Sequence, residues 1–259
     1  MTPIPNYPPA RNLLQDKTVV VTAAAGTGIG FAVAKRAAEE GARLLISDIH
    51  ERRLTEAAER IAQATGVRPL SQLCDVTKEH DVRALNDIAQ KELGQVDALI
   101  NNAGLGGETS VIDMTDEQWT RVLDVTLTSV FRMSRAFLPG MYARKSGTIV
   151  NNASVLGWRA QAGQAHYAAA KAGVMAFTRC AALEAAEHGV RINAVAPSIA
   201  MHPHLAKVTP QERLDRLAAQ EAFGRPAEVW EVANVMIFLA CDLSSYMTGE
   251  VVAVSSQRA

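Results

Sequence analysis

The sequence predicts an α/β fold: one parallel sheet with helices on both faces, three layers in a single doubly wound domain. Three observations predict it. Short apolar runs alternate with longer amphipathic stretches along the chain. The short runs are apolar at nearly every position, as strands buried on both faces must be. The first of them breaks at once into a glycine-rich turn and a helical segment, AAAGTGIGFAVAKRAAEEG.

Each element follows in order. Residues 1–15 contain four prolines and read as an arm over the surface, and the domain proper runs over 16–259. TVVVT (18–22) is the first strand, and the helix GFAVAKRAAEEG (30–41) stops at Gly41. RLLISD (43–48) is the second strand, followed by a helix ending at Gly66. A third strand lies within RPLSQLCDV, a third helix within KEHDVRALNDIAQKELG, and VDALINNAG is the fourth strand. One helix is predicted over 116–139, a strand over 147–154, a helix over 164–187 and a strand over 190–197. Pro203 and Pro210 then break the pattern before a helix after Pro226 and a last strand, EVVAVS (250–255).

Composition excludes several function classes. A formal charge of −1 gives no electrostatic footprint for nucleic acid or an anionic membrane. No apolar run reaches the roughly 18 residues of a membrane span, and the N-terminus has no signal-peptide core, so a soluble cytoplasmic protein is expected. Cys74, Cys180 and Cys241 are far apart without C-x-x-C spacing, which predicts plain buried thiols and neither a disulfide nor a metal.

The glycine turn is the first candidate site. A turn opening a helix presents backbone N–H groups and the positive end of the helix dipole, which together hold a pyrophosphate. Gly26, Gly28, Ile29 and Gly30 are the candidates, and a tight turn without ligand is the alternative. Asp48 closes the second strand, where a carboxylate accepts from the adenosine ribose and repels a 2′-phosphate. It could equally cap the next helix. Arg52 and Arg53 lie close by and suit a 2′-phosphate, so NAD is expected, with NADP as the alternative.

The second candidate is chemical. Tyr167 and Lys171 are four apart on one helix and project from the same face. An ammonium near a phenol favours the phenolate, and such a tyrosine can take a proton from an alcohol or return it to a ketone. Ser154 follows a strand's carboxyl end, where its hydroxyl could bond the same substrate oxygen.

The glycine turn, NNAG (101–104), Ser154, YAAAK (167–171) and NAVAP (193–197) occur in one order over residues 16–255. Together they resemble the short-chain dehydrogenase/reductase family. The resemblance implies a Rossmann-type sheet, a nicotinamide cofactor and hydride exchange with a carbonyl carbon. It implies Tyr167 as acid/base, Lys171 on the nicotinamide ribose, and Ser154 orienting the carbonyl. It places Asp75 and Val76 at the adenine, Asn102, Ala103 and Gly104 under the cofactor, and Pro197 and Ile199 at its nicotinamide end. Homodimers or homotetramers built through the helices at 164–187 and 227–241 are the implied assembly.

Three departures qualify it. The family's T-G-x-x-x-G-x-G is lengthened by one residue here; aligned on Gly28 and Gly30, the first glycine position is Ala24. Thr126 stands where the family has an asparagine that supports a water relay to the lysine. Ser198 and His202 replace the glycine and threonine of P-G-x-x-x-T, and His202 reads more simply as a loop histidine. His166 is expected to turn away from the site.

The segment 198–223 should cover the substrate. It mixes apolar residues with Lys207, Arg213 and Arg216, and Trp158 and Met114 could add lining. A bulky apolar alcohol or ketone fits, including an acyl-CoA thioester whose phosphates meet the basic residues. TAAAGTGIG (22–30) and VVAVSSQRA (251–259) resemble an actinobacterial subgroup that degrades steroid-ring CoA thioesters. The alternatives are a 3-oxoacyl-thioester reductase using NADPH and a nucleotide-binding scaffold or sensor that has lost catalysis.

Overall fold

The computed structural model describes residues 2–208 and 210–256. Thr209, in the expected substrate segment, and residues 257–259, at the expected domain end, lie outside them. Seven parallel strands form one sheet in the order β3-β2-β1-β4-β5-β6-β9. They are β1 (Thr18–Val21), β2 (Arg43–Asp48), β3 (Leu70–Leu73), β4 (Ala98–Asn101), β5 (Gly147–Asn152), β6 (Val190–Pro197) and β9 (Val251–Val254). A separate pair, β7 (Ala200–Met201) and β8 (Ala227–Glu228), lies outside this sheet.

Alternation along the central strands divides the core into two layers. Val19 and Val21 of β1 pack with Ile46, Ile100 and the helices α1 (Ile29–Glu39), α2 (Glu51–Thr65) and α9 (Val229–Ala240). Val20 points the other way, to Leu45, Leu99 and Ile149, under α3 (Glu79–Leu93), α5 (Ser129–Arg144) and α6 (Ala165–Ala186). This is why the strands read as continuous apolar runs. β3 departs from that pattern: it is an edge strand, and Leu70 and Leu73 are exposed.

The predicted helix at 116–139 is three pieces. α4 (Asp116–Leu123) starts at a capping box between Thr115 and Gln118. A π turn over Asp124–Thr128 follows, and α5 continues past Pro139 to Arg144. The stretch at 198–223 is more regular than expected. Pro203 opens α7 (Pro203–Val208), and Pro210 is the N-cap of α8 (Gln211–Gln220). Proline's fixed φ and missing N–H suit a first helical turn.

The N-terminal arm is held by a buried pair. Arg36 donates to Pro8 O and Pro9 O and pairs with Glu40, whose other oxygen accepts from Arg11 N (2.8 Å) and Leu13 N (3.0 Å). Among the described residues, no helix is long and apolar enough to cross a membrane. Nor does any His, Cys, Asp and Glu cluster there suit a metal. Cys74 and Cys241 are buried as expected, but Cys180 is exposed on α6, at the rim of a groove shared with Phe131 and Leu138 of α5.

Candidate active site

The site is built at the carboxyl ends of β1, β4, β5 and β6, where the strand order changes direction. Thr22, just after β1, is its hub. Its Oγ1 accepts from Asn102 N (3.0 Å) and Ala103 N (3.2 Å), and Asn102 Nδ2 donates to Thr22 O (3.2 Å) and Ala23 O (3.1 Å). These bonds fasten the glycine turn to the NNAG turn.

Alignment on the last two glycines puts the first glycine position at Ala24, and the unusual backbone lies one residue earlier. The left-handed residue is Ala23, at φ +50°, rather than Ala24. The additional Gly26, at φ +91°, takes a second left-handed position that lets the longer turn close. An alanine Cβ is disfavoured in that region by roughly 1–2 kcal/mol. Ala23→Gly should therefore stabilise the protein by about 1 kcal/mol, read as a higher urea midpoint with unchanged slope. A lower midpoint would mean that Ala23 sits there without strain.

The turn fits a phosphate. Gly28 caps α1 without a side-chain hydrogen bond, and a Cβ at Gly26 or Gly28 would meet no atom within 4 Å. That leaves open space beside the helix N-terminus and its N–H groups. Gly30 serves a different purpose: a Cβ there would overlap Ala23 O and the Asn102 amide. Asp48 does not cap α2, whose N-cap is His50 without a side-chain bond. Asp48 Oδ1 accepts from His50 N (3.0 Å) and its Oδ2 from Ala25 N (3.1 Å), so it ties the glycine turn to the end of β2. Burial raises its pKa, offset in part by the Ala25 N–H and by Arg53. Arg52 is exposed and paired with Glu56.

Asp75 and Val76 sit at the end of β3. Val76 is buried, and Asp75 accepts from Thr77 N (2.9 Å) and Thr77 Oγ1 (2.7 Å) while its own N–H goes to Asp81. Asp75 and Ile49 line a separate cleft beyond Asp48.

The chemical residues meet at a cavity of about 280 Å³. Ile29, Asn102, Ser154, Tyr167, Pro197 and Ile199, all sequence candidates, line it. The Tyr167 phenol hydrogen-bonds Ser154, whose Oγ also accepts from Leu156 N (3.2 Å). Burial raises the Tyr167 pKa, and the Ser154 bond counters it. One turn on, Lys171 is 2% exposed and donates to Asn152 O at 2.5 Å, with its Nζ 5.5 Å from the Tyr167 ring centre. Burial alone lowers its pKa from the ordinary 10.5 to about 7. Lys171 therefore changes charge near neutral pH, one helical turn from the phenol. Gly104 lies against it: a Cβ there would be 3.4 Å from the Lys171 amine.

Thr126 is fully buried in the π turn. Its Oγ1 accepts from Leu105 N (3.0 Å) and donates to Leu105 O (3.1 Å). The hydroxyl thus holds the loop after NNAG, and no bond joins it to Lys171. His202 lies in a loop, as expected, and is half-buried; it also lines the cavity, and its Nδ1 accepts from Leu205 N (3.3 Å). His166 is buried with its Nε2 against Gly107. Trp158 is half exposed, and Arg213 is committed to an ion pair with Glu108.

Asn152 was not foreseen. It lines the cavity and donates from Nδ2 to Asn102 Oδ1 at 2.9 Å. The available signal was the pair of amides, Asn151 and Asn152, that ends the strand after its apolar centre. Asn152 Oδ1 and Ser198 Oγ are buried and without a protein partner, so the site still offers polar groups that suit a polar ligand.

On this Rossmann-type sheet the comparisons define a nicotinamide-dependent oxidoreductase: the chain belongs to the short-chain dehydrogenase/reductase family. The family pattern described as "Enoyl-(Acyl carrier protein) reductase" matches residues 23–256. A Mycobacterium tuberculosis protein is 62% identical over 248 residues, covering 95% of this chain and 94% of its own. Its name is (5R,7aS)-5-hydroxy-7a-methyl-1-oxo-2,3,5,6,7,7a-hexahydro-1H-indene-carboxyl-CoA reductase. Cis-4-hydroxycyclohexanecarboxylate dehydrogenase of Sinomonas cyclohexanicum is 40% identical over 92% of this chain and 95% of its own. The crystal structure of a short-chain dehydrogenase from Mycobacterium smegmatis superposes with a TM-score of 0.87 at 56% identity, covering 98% of each chain.

Proposed function

We propose that this protein interconverts a ring ketone and its secondary alcohol on a fused-ring CoA thioester, with NAD(H) as cofactor, in the cytoplasm. The observation that carries the chemistry is the Tyr167 phenol, bonded to Ser154 and one turn from buried Lys171 at the cavity wall. The substrate class follows from the 62% identical relative, whose name is that of an indene-carboxyl-CoA reductase.

A bound nicotinamide dinucleotide accepts or supplies the hydride. Gly26, Gly28, Ile29 and Gly30 hold its phosphates by backbone N–H groups, and Asn102, Ala103 and Gly104 form the floor. Ser154 donates to the substrate oxygen, and Tyr167 gives that oxygen a proton in reduction or takes one in oxidation. Lys171 holds the ribose, and its charged form stabilises the phenolate. Pro197 and Ile199 flank the nicotinamide end, while Asp75 and Val76 border the adenine. Thr126 supports this set by fixing the loop above Gly104. With Arg213 held by Glu108, Lys207 and Arg216 are the exposed cations of the substrate segment that suit CoA phosphates.

NAD is favoured because Asp48 keeps a carboxylate at the end of β2, where a 2′-phosphate would meet negative charge. Phe131 and Leu183 on α5 and α6 are exposed apolar side chains suited to a homodimer or homotetramer. α9 is less available, since Tyr7 of the arm packs on Trp230.

Titration with NADH and NADPH, followed by nicotinamide fluorescence, tests the reading. Tight NADH binding with at least about tenfold weaker NADPH binding, roughly 1.4 kcal/mol, is expected. Preference for NADPH would contradict the Asp48 argument and favour a ketoacyl-thioester reductase. Binding of neither would favour a protein without catalysis.

A further inference from the structure

Asn152 touches Lys171, the glycine turn's anchor Asn102 and open cavity space at once. Its main-chain carbonyl takes the Lys171 ammonium. Its amide orientation is fixed by the network around it. Asn102 Nδ2 donates to Thr22 O and Ala23 O, so Asn102 Oδ1 must accept. Asn152 must then present Nδ2 to Asn102, as the 2.9 Å bond records, and cannot be turned over. Its Oδ1 is left as a buried acceptor without a protein donor. The neighbouring Asn151 differs: it accepts from Asn101 Nδ2 and donates to Thr178 Oγ1, inside the core.

Lys171 has the complementary shortage. An ammonium carries three donors, and one of them is met by Asn152 O. The Thr126 hydroxyl, close by, is spent on both backbone groups of Leu105. We propose that Asn152 is a positioning residue for the Lys171–Tyr167 pair: its Oδ1 accepts from a hydroxyl that itself accepts from Lys171 Nζ. The inference rests on the functional reading of that pair. The hydroxyl is a water in the free protein or a ribose hydroxyl of the bound dinucleotide.

Removing Oδ1 withdraws support from the charged amine, so the charged form is lost at lower pH. Tyr167, on the same helix, and His202, across the cavity, are the titratable groups that face this region, and both are retained in the variants. The test is nitrogen-15 NMR of lysine side chains, with Lys171 assigned from Lys171→Met. It is run on the full protein, free and with NADH. In the wild type Lys171 should titrate at about 7 when free. Asn152→Leu should lower that value by about one unit, and Asn152→Thr, which keeps an oxygen, should recover part of it. Melting temperature and ADP binding report whether each variant folds, and Asn152→Ala replaces Asn152→Leu if that variant does not.

A fall in the free protein identifies water as the bridging hydroxyl. A fall only with NADH identifies the ribose. Values unchanged within about 0.3 units in both states would overturn the proposal. A wild type that binds no dinucleotide would defeat the functional reading instead, while the free-protein comparison still decides the role of Asn152.

Discussion

Tyr167→Phe is expected to lower turnover by about a thousandfold, roughly 4 kcal/mol of barrier, with little change in dinucleotide affinity. The ring stays at the cavity wall, and only the hydroxyl bonded to Ser154 is lost. In the proposed reaction that hydroxyl exchanges a proton with the substrate oxygen. The comparison needs rate and binding measured on the same preparation, because a misfolded variant would lose both. Turnover within a few-fold of wild type would remove Tyr167 from the mechanism.

Gly30→Ala is expected to destabilise the protein by about 2–4 kcal/mol, and with it the dinucleotide site. The new Cβ would overlap Ala23 O and the Asn102 amide and lie 3.0 Å from Ala23 C. Two of these are main-chain atoms, held by β1 and by the Asn102 bonds, so little can give way. Gly28→Ala is the counterpart. Its φ of −85° suits any residue, and its Cβ would meet nothing within 4 Å. It should therefore fold with near wild-type stability but bind NADH weakly, because the methyl group takes the space meant for phosphate. Equal stability of the two variants in urea would show that the turn relaxes more freely than its bonding implies.

The strands at 43–48 and 190–197 were legible to the residue, because a parallel sheet covered on both faces needs uninterrupted apolar runs. Other features depend on contacts that no local pattern records. The π turn at 124–128 lies in a sequence with ordinary helical composition, and it is the bond from Thr126 to Leu105 that makes use of it. The helices α7 and α8 were hidden because Pro203 and Pro210 were read as breaks rather than as starts. At the site, Ser154, Tyr167 and Lys171 were visible as residue types at helical and strand-end spacing. Ala23 was not, since nothing in an alanine reports that its backbone is left-handed. His202 was legible as a loop histidine, but its place on the cavity wall was not, since it depends on how the loop after β6 folds back.

The proposed reaction moves a hydride between a nicotinamide dinucleotide and a ring carbon of a CoA thioester. The direct measurement is isotopic. The enzyme would be incubated with NADH deuterated at the reactive carbon and a fused-ring ketone CoA thioester, and the product analysed by mass spectrometry and NMR. One deuterium is expected on the new carbinol carbon, none on the thioester carbon, and the label transfer should be lost in Tyr167→Phe. Ketone consumption without deuterium at the carbinol carbon, or label arriving on an alkene carbon instead, would contradict it.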